Sequence, residues 1–188
     1  MVSGFIKDER VILGIDPGTG RCGFALLKLK IKNEKLKIRE PELLNCGLIE
    51  TPVKTPLSDR LKVIYEKITE LIKKYHPTEM AIEELFFVKN IKTGISVAHA
   101  RGVIMLAGEL AGIPVFEYKP NEIKLAIAGH GHADKSQMAR MIKLHLKNCE
   151  VPRSGLKQAA KWDTVKQDDA VDAVAVAVTH LQIRKFKI

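Results

Sequence analysis

Four acidic residues, Asp16, Glu83, Asp169 and Asp172, stand in stretches that are otherwise apolar. Asp16 closes the run Val11 to Ile15, and Glu83 closes Met80-Ala81-Ile82 in the same way. Carboxylates at the ends of two strands can be neighbours in one sheet. Asp169 and Asp172 have the i, i+3 spacing that places side chains on one helix face. Apart from Asp172, the residues from Ala170 to Val178 are all Ala or Val, so that helix has to be buried. Two unit charges about 4 Å apart repel by roughly 4 kcal/mol at an effective dielectric of 20, so such a cluster needs counter-charge. No Arg or Lys is evident as its partner in the sequence. A divalent metal is the economical solution, and carboxylate oxygens alone favour magnesium or manganese over zinc. Two such ions about 3.5 to 4 Å apart can activate a water and stabilise the leaving oxygen in phosphodiester hydrolysis.

Each residue also has a plainer reading. Asp16 can begin a turn, Glu83 can sit in a salt bridge, and Asp168 with Asp169 can cap the last helix. Spacing leaves two choices open. Asp168 and Asp172 also share a helix face, and Glu84 follows Glu83 on the opposite face of a strand.

The elements that must position these residues follow from the placement of Gly and Pro and from apolar periodicity. Val11–Ile15 is a short strand, Pro17 to Gly20 a turn, and Gly23–Lys30 a returning strand. A third strand covers about Leu43 to Glu50, with residues 32–42 as an exposed turn. Leu57, Leu61, Ile64, Ile68, Leu71 and Ile72 recur at helical spacing up to Tyr75, with Pro77 just beyond. Met80–Glu83 reads as a buried strand, Gly94–Ala111 as a helix apolar almost all round, and Val115–Tyr118 as another short strand. Two helices then follow, one from Lys135 to about Lys147, with Asp134 and Gln137 as a capping box, and one from Asp168 to about Arg184. The expected fold is an α/β mixed sheet of five strands flanked by helices, in the order β-β-β-α-β-α-β-α-α.

The bulk composition agrees with a single domain spanning residues 1–188 that acts on a polyanion. Hydrophobic residues make up 46% of the 188, enough for one core. Thirty-one Lys and Arg against 22 Asp and Glu give a formal charge of +9, and the positive excess is denser after Tyr118. Cys22, Cys46 and Cys149 form no C-x-x-C and are odd in number, which speaks against a disulfide framework or a thiolate zinc site and fits a reducing, cytoplasmic setting. No apolar run approaches the roughly 20 residues of a membrane span, and Met1 to Arg10 lacks the apolar centre of a secretory signal.

Taken together, Ile12-Leu13-Gly14-Ile15-Asp16-Pro17-Gly18-Thr19, Ala81-Ile82-Glu83-Glu84-Leu85-Phe86 and Asp169-Ala170-Val171-Asp172-Ala173 resemble the RuvC crossover junction endonucleases. Ala100-Arg101-Gly102-Val103, Val115-Phe116-Glu117-Tyr118 and Lys135-Ser136-Gln137 extend the likeness over most of residues 10–182. The resemblance implies a ribonuclease H-like fold, a homodimer, and paired nicks across a Holliday junction. It implies Asp16, Glu83, Asp169 and Asp172 as ligands of magnesium, two ions in number, with manganese able to substitute. It also implies that Phe86 stacks on junction bases, worth roughly 1 to 3 kcal/mol for such a contact. Lys124 and Lys135 match basic positions near the scissile strand, Lys124 with a catalytic part, and Lys89 and Lys92 are further expected DNA contacts. The partners implied are four-way junction DNA, a second copy of the chain, and the RuvA and RuvB branch-migration proteins. Dimerisation fits Gly94–Ala111, whose apolar residues exceed what one sheet face can cover.

Two stretches depart from the family pattern, residues 1–9 and the basic connection 149–167 with Arg153, Lys157, Lys161, Trp162 and Lys166. That connection reads equally as extra DNA contact or as plain surface loop. Gly18-Thr19-Gly20 after Asp16 also resembles the phosphate loop of actin-like ATPases, which need two lobes and further nucleotide loops that this length does not supply. His130-Gly131-His132 reads as a turn more readily than as a metal site. The rivals within the fold are a junction-binding module that does not cleave and an RNA-strand hydrolase.

Overall fold

The computed structural model describes residues 10–33, 38–52, 54–85, 91–146 and 168–185. β1 (Val11–Asp16), β2 (Arg21–Asn33) and β3 (Ile38–Glu50) form an antiparallel meander, followed by α1 (Leu57–Tyr75), β4 (Glu79–Glu83), α2 (Ile91–Leu110) and β5 (Val115–Tyr118). α3 (Pro120–Ala128), α4 (Lys135–His145) and α5 (Asp168–Lys185) complete the chain. The five strands make one sheet in the order β3-β2-β1-β4-β5, with β1, β4 and β5 parallel.

The five-stranded mixed sheet expected from the sequence is present. Three details differ. β2 and β3 extend further, to Asn33 and from Ile38, because their cross-strand pairing continues where charge suggested a turn. α2 begins at Ile91 and α4 ends at His145. The apolar periodicity predicts no helix between β5 and α4, whereas the structure has α3 there, so three helices rather than two follow β5. Its local signals are Pro120 at the first position, the Lys119 N–H donating to Glu122 at 2.8 Å, and the left-handed Gly129 at its end. The Asp134–Gln137 capping box of α4 is formed, with reciprocal bonds of 2.8 and 3.0 Å.

Strand alternation sorts side chains onto two faces. Val11, Leu13 and Ile15 of β1, with Met80 and Ile82 of β4, pack toward Ile64 and Ile68 of α1 and Ala100 and Ile104 of α2. On the other face Ile12, Ala25, Leu27 and Ala81 pack toward Val174, Ala177 and Val178 of α5 and toward α3 and α4. By the same parity Asp16, Arg21, Glu79 and Glu83 belong to the α5 face.

α5 lies unusually close to the sheet. A Cβ on Gly14 would stand 2.5 Å from the Ala173 carbonyl oxygen and 2.7 Å from the Ala177 Cβ, so glycine on the strand and alanine on the helix are matched. Towards the far end of α5, the buried His180 bridges two strands. Its Nδ1 lies 2.8 Å from the Tyr118 hydroxyl and its Nε2 lies 2.9 Å from Glu79 Oε2. Burial holds the imidazole below its ordinary pKa despite the Glu79 carboxylate, so the ring is neutral. Nε2–H then donates to Glu79, and Nδ1 accepts from Tyr118. Burial opposes ionisation of Glu79 too, but the hydrogen bonds from Arg10 and His180 prevail and hold it below the usual range.

Because no room exists beside Gly14, Gly14→Ala is expected to lower stability by about 1 to 3 kcal/mol. Urea denaturation of the two proteins checks this; a loss under a few tenths of a kcal/mol would mean that α5 can lift without cost.

Candidate active site

β1 and β4 are parallel neighbours, so their carboxyl ends open at the same edge of the sheet. With Ile15 opposite Ile82, Asp16 and Glu83 are the next residues in register. The first turns of α5 cross this edge. Gly23, opposite Asp16 on β2, permits the crossing, since a Cβ there would stand 1.9 Å from the Asp169 carbonyl oxygen. The result is that Asp16, Asp169 and Asp172 each offer a carboxylate oxygen within 4.8 Å of the others. Glu83 lies outside that trio and joins it by a hydrogen bond shared with Asp16. Glu84, whose N–H donates to the Tyr118 carbonyl at 2.8 Å, is not a member of the trio, and the side chain of Asp168 falls outside the described residues.

The electrostatics are those of crowded acids in a partly sealed site. Burial, then Asp172 and Asp169, push Asp16 up to about 7, against the opposing pull of Lys135. Burial, then Asp16 and Asp172, push Glu83 up to about 8, against Lys124. In the absence of metal, Glu83 is the acid that keeps the shared proton and Asp16 accepts its hydrogen bond. The N-terminus of α5 adds a partial positive charge near Asp169.

Spacing alone shows no cationic partner for these acids, whereas the family resemblance points to Lys124 and Lys135, and the structure brings both to the site. Lys124 of α3 and Lys135 of α4 line one groove of about 340 Å³ together with Glu83, Asp134 and Asp172. On the β2 side, Arg21 Nε lies 2.9 Å from Asp169 Oδ2. That oxygen is buried yet accepts no hydrogen bond, so the contact is one of charge, with no N–H aimed at it. Arg21 escaped the sequence reading; its signal is the β2 alternation, which puts it two residues before Gly23 on the same face. Phe86 and Lys89 lie outside the described residues, as do 1–9 and 149–167, and Lys92 is described only as part of the first turn of α2.

An all-oxygen trio with a buried oxygen lacking a donor fits a hard divalent cation better than any softer metal. Asp16, Asp169, Asp172 and Glu83 are the residues able to hold one. His130 and His132 are exposed, in the bend and turn between α3 and α4.

The architecture is that of a ribonuclease H-like nuclease. The yeast mitochondrial Holliday junction resolvase shares the fold at 14% identity, with a TM-score of 0.66 over 94% of this chain and 81% of that one. The family model for crossover junction endodeoxyribonuclease RuvC matches residues 12–180. Over 175 residues the chain is 42% identical to the crossover junction endodeoxyribonuclease RuvC of Brevibacillus brevis, covering 93% of each. Thermus thermophilus RuvC, solved in complex with Holliday junction substrate, is 29% identical with a TM-score of 0.76 over 95% of this chain and 96% of that one. This chain therefore belongs to the crossover junction endodeoxyribonuclease RuvC family.

The raised acids carry a stability consequence with a definite sign. A carboxyl whose folded pKa lies above its unfolded value stabilises the fold while protonated, and that contribution disappears as pH rises through the folded pKa. For Asp16 the loss begins near the ordinary value of 3.8 and is complete near 7, and for Glu83 it begins near 4.5 and is complete near 8. In chelator, the two acids are expected to lower the melting temperature between about pH 4 and about pH 8, with no further fall from them above that, and Asp16→Asn is expected to melt higher than the parent at the alkaline end. Thermal melts across that range check both; a flat profile would show the acids to be well compensated without metal.

Proposed function

We propose that this protein is a structure-selective endonuclease that resolves four-way DNA junctions by paired, symmetric, metal-dependent phosphodiester hydrolysis during recombination and repair. A single nuclease domain spanning residues 1–188 does this in our reading. The observation that carries it is the trio Asp16, Asp169 and Asp172, with oxygens within 4.8 Å, in a chain of this family. The relative solved with Holliday junction substrate supports the choice of DNA.

Asp16, Glu83, Asp169 and Asp172 would hold magnesium, two ions in number, with manganese able to substitute. When bound, the metal supplies Lewis-acid polarisation of the phosphate and of the attacking water. The residues do the remainder. Glu83 releases its shared proton so that it and Asp16 are both anionic ligands. Lys124 and Lys135, facing the same groove from α3 and α4, hold the phosphate backbone, and Lys124 faces charge developing at the cut. Phe86 stacks on a junction base, and Lys89 and Lys92 add DNA contacts.

One face of α2 favours a homodimer. Ile95, Leu106 and Leu110 are 54%, 53% and 67% exposed and recur at whole-turn spacing. A two-fold pair would present one acidic site to each of two opposed strands. RuvA and RuvB are the proposed partners, and the cytoplasm the proposed location; among the described residues no helix is long and apolar enough to cross a membrane.

The decisive experiment is strand cleavage of labelled four-way junction, linear duplex and RNA–DNA hybrid, each with magnesium and with chelator. Paired nicks in the junction alone, abolished by chelator, are expected, and Asp16→Asn should bind the junction but cut it at least about a hundredfold more slowly. Cleavage of the hybrid alone would move the protein to RNA hydrolysis, and binding without cutting would make it a junction-holding module. Leu110→Glu is expected to shift the protein toward monomer in sedimentation; an unchanged dimer would place the interface elsewhere.

A further inference from the structure

We propose that Arg21 is a positioning residue that holds Asp169 while the acidic site is without metal, then yields that oxygen to the ion and turns its guanidinium to a phosphate of bound DNA. This rests on the metal-site reading above.

Both members of the pair are fixed at the backbone. A Cβ on Gly18 would stand 2.0 Å from the Arg21 carbonyl oxygen, and one on Gly23 would stand 1.9 Å from that of Asp169. The glycines thus bring the start of β2 and the start of α5 to one point. The side chains behave differently from the backbone. Arg21 is 52% exposed while Asp169 is 29% exposed, so the guanidinium lies on the solvent side of the carboxylate. Its Nε is 2.9 Å from Oδ2, and yet that oxygen, shut from water, receives no directed hydrogen bond.

Such a contact neutralises charge without locking geometry. Charge-assisted pairs owe their strength to aligned N–H donors, and this one has none on that oxygen. A cation ligated by the trio and a guanidinium on the same oxygen repel each other, and the arginine is the partner with an exit, being half exposed. Lys135 and Lys124 face Asp16 and Glu83 instead, so the site's cations are divided among its acids. Once released, a permanently charged planar fork at the rim of a DNA-cleaving site suits a phosphate.

The test is calorimetric titration of manganese into the DNA-free protein, comparing the parent with Arg21→Gln, Arg21→Lys and Asp16→Asn. Arg21→Gln is expected to bind manganese about twofold to fivefold more tightly, the scale of one lost competing ion pair, and Arg21→Lys to stay near the parent. Junction binding is then measured against salt. In calcium the slope of log affinity on log salt should be smaller by about 1 for Arg21→Gln, and in chelator the slopes should coincide. Equal or weaker manganese binding by Arg21→Gln, or equal slopes in calcium, overturns the proposal. Asp16→Asn separates the two readings: if it binds manganese as the parent does, the metal site itself is misplaced, whereas if it loses manganese while Arg21→Gln is unchanged, only the role of Arg21 fails.

Discussion

Three carboxylates gathered within 4.8 Å of one another repel, and much of this molecule serves to hold them there. The force that opposes the repulsion is apolar. From Ala173 to Val178, α5 is buried against β1 and β2, and small residues on both sides let the helix backbone approach the strands. His180 and Glu79 anchor the helix further along, where a neutral ring and an ionised carboxylate satisfy each other. A helix held along its length cannot slide by a turn, so its first residues stay over the strand ends although their charges push them away.

Charge compensation is arranged in sectors. Lys135 bears on Asp16, Lys124 on Glu83, and Arg21 on Asp169. None of the three is deeply enclosed, and each approaches from a different element, α4, α3 and β2. The acids remain under-compensated in the buried part of the site and better compensated at its rim. That gradient suits a site that takes a small divalent cation inside and a polyanion outside.

Much of this was legible in the chain. Asp16 and Glu83 stood out because each interrupts an apolar strand, and Asp169 with Asp172 because their helix is otherwise Ala and Val. Strand parity separates Glu83 from Glu84, and packing confirms the sorting, with Ala81 on the α5 face and Ile82 on the other. What stayed hidden depended on tertiary placement. In a sequence with 31 cations, nothing local marks Arg21; only the register of β2 against β1 brings it to Asp169. The helix α3 is nine residues long and sits among turn-forming residues, so its period was too short to read. The bond between Glu79 and His180 spans 101 residues and exists because β4 and α5 cross the same sheet.

The acids of the site come from the beginning, the middle and the last described helix of the chain. β1 and β4 can pair on their own, but the face that carries Asp16 stays bare until α5 covers it. During synthesis, therefore, a chain lacking α5 has an unprotected apolar sheet face and no cluster of acids to bind an ion. Closing the core and assembling the site are a single event, so a partly made chain, whatever DNA it meets, does not yet carry the charge arrangement of the finished one.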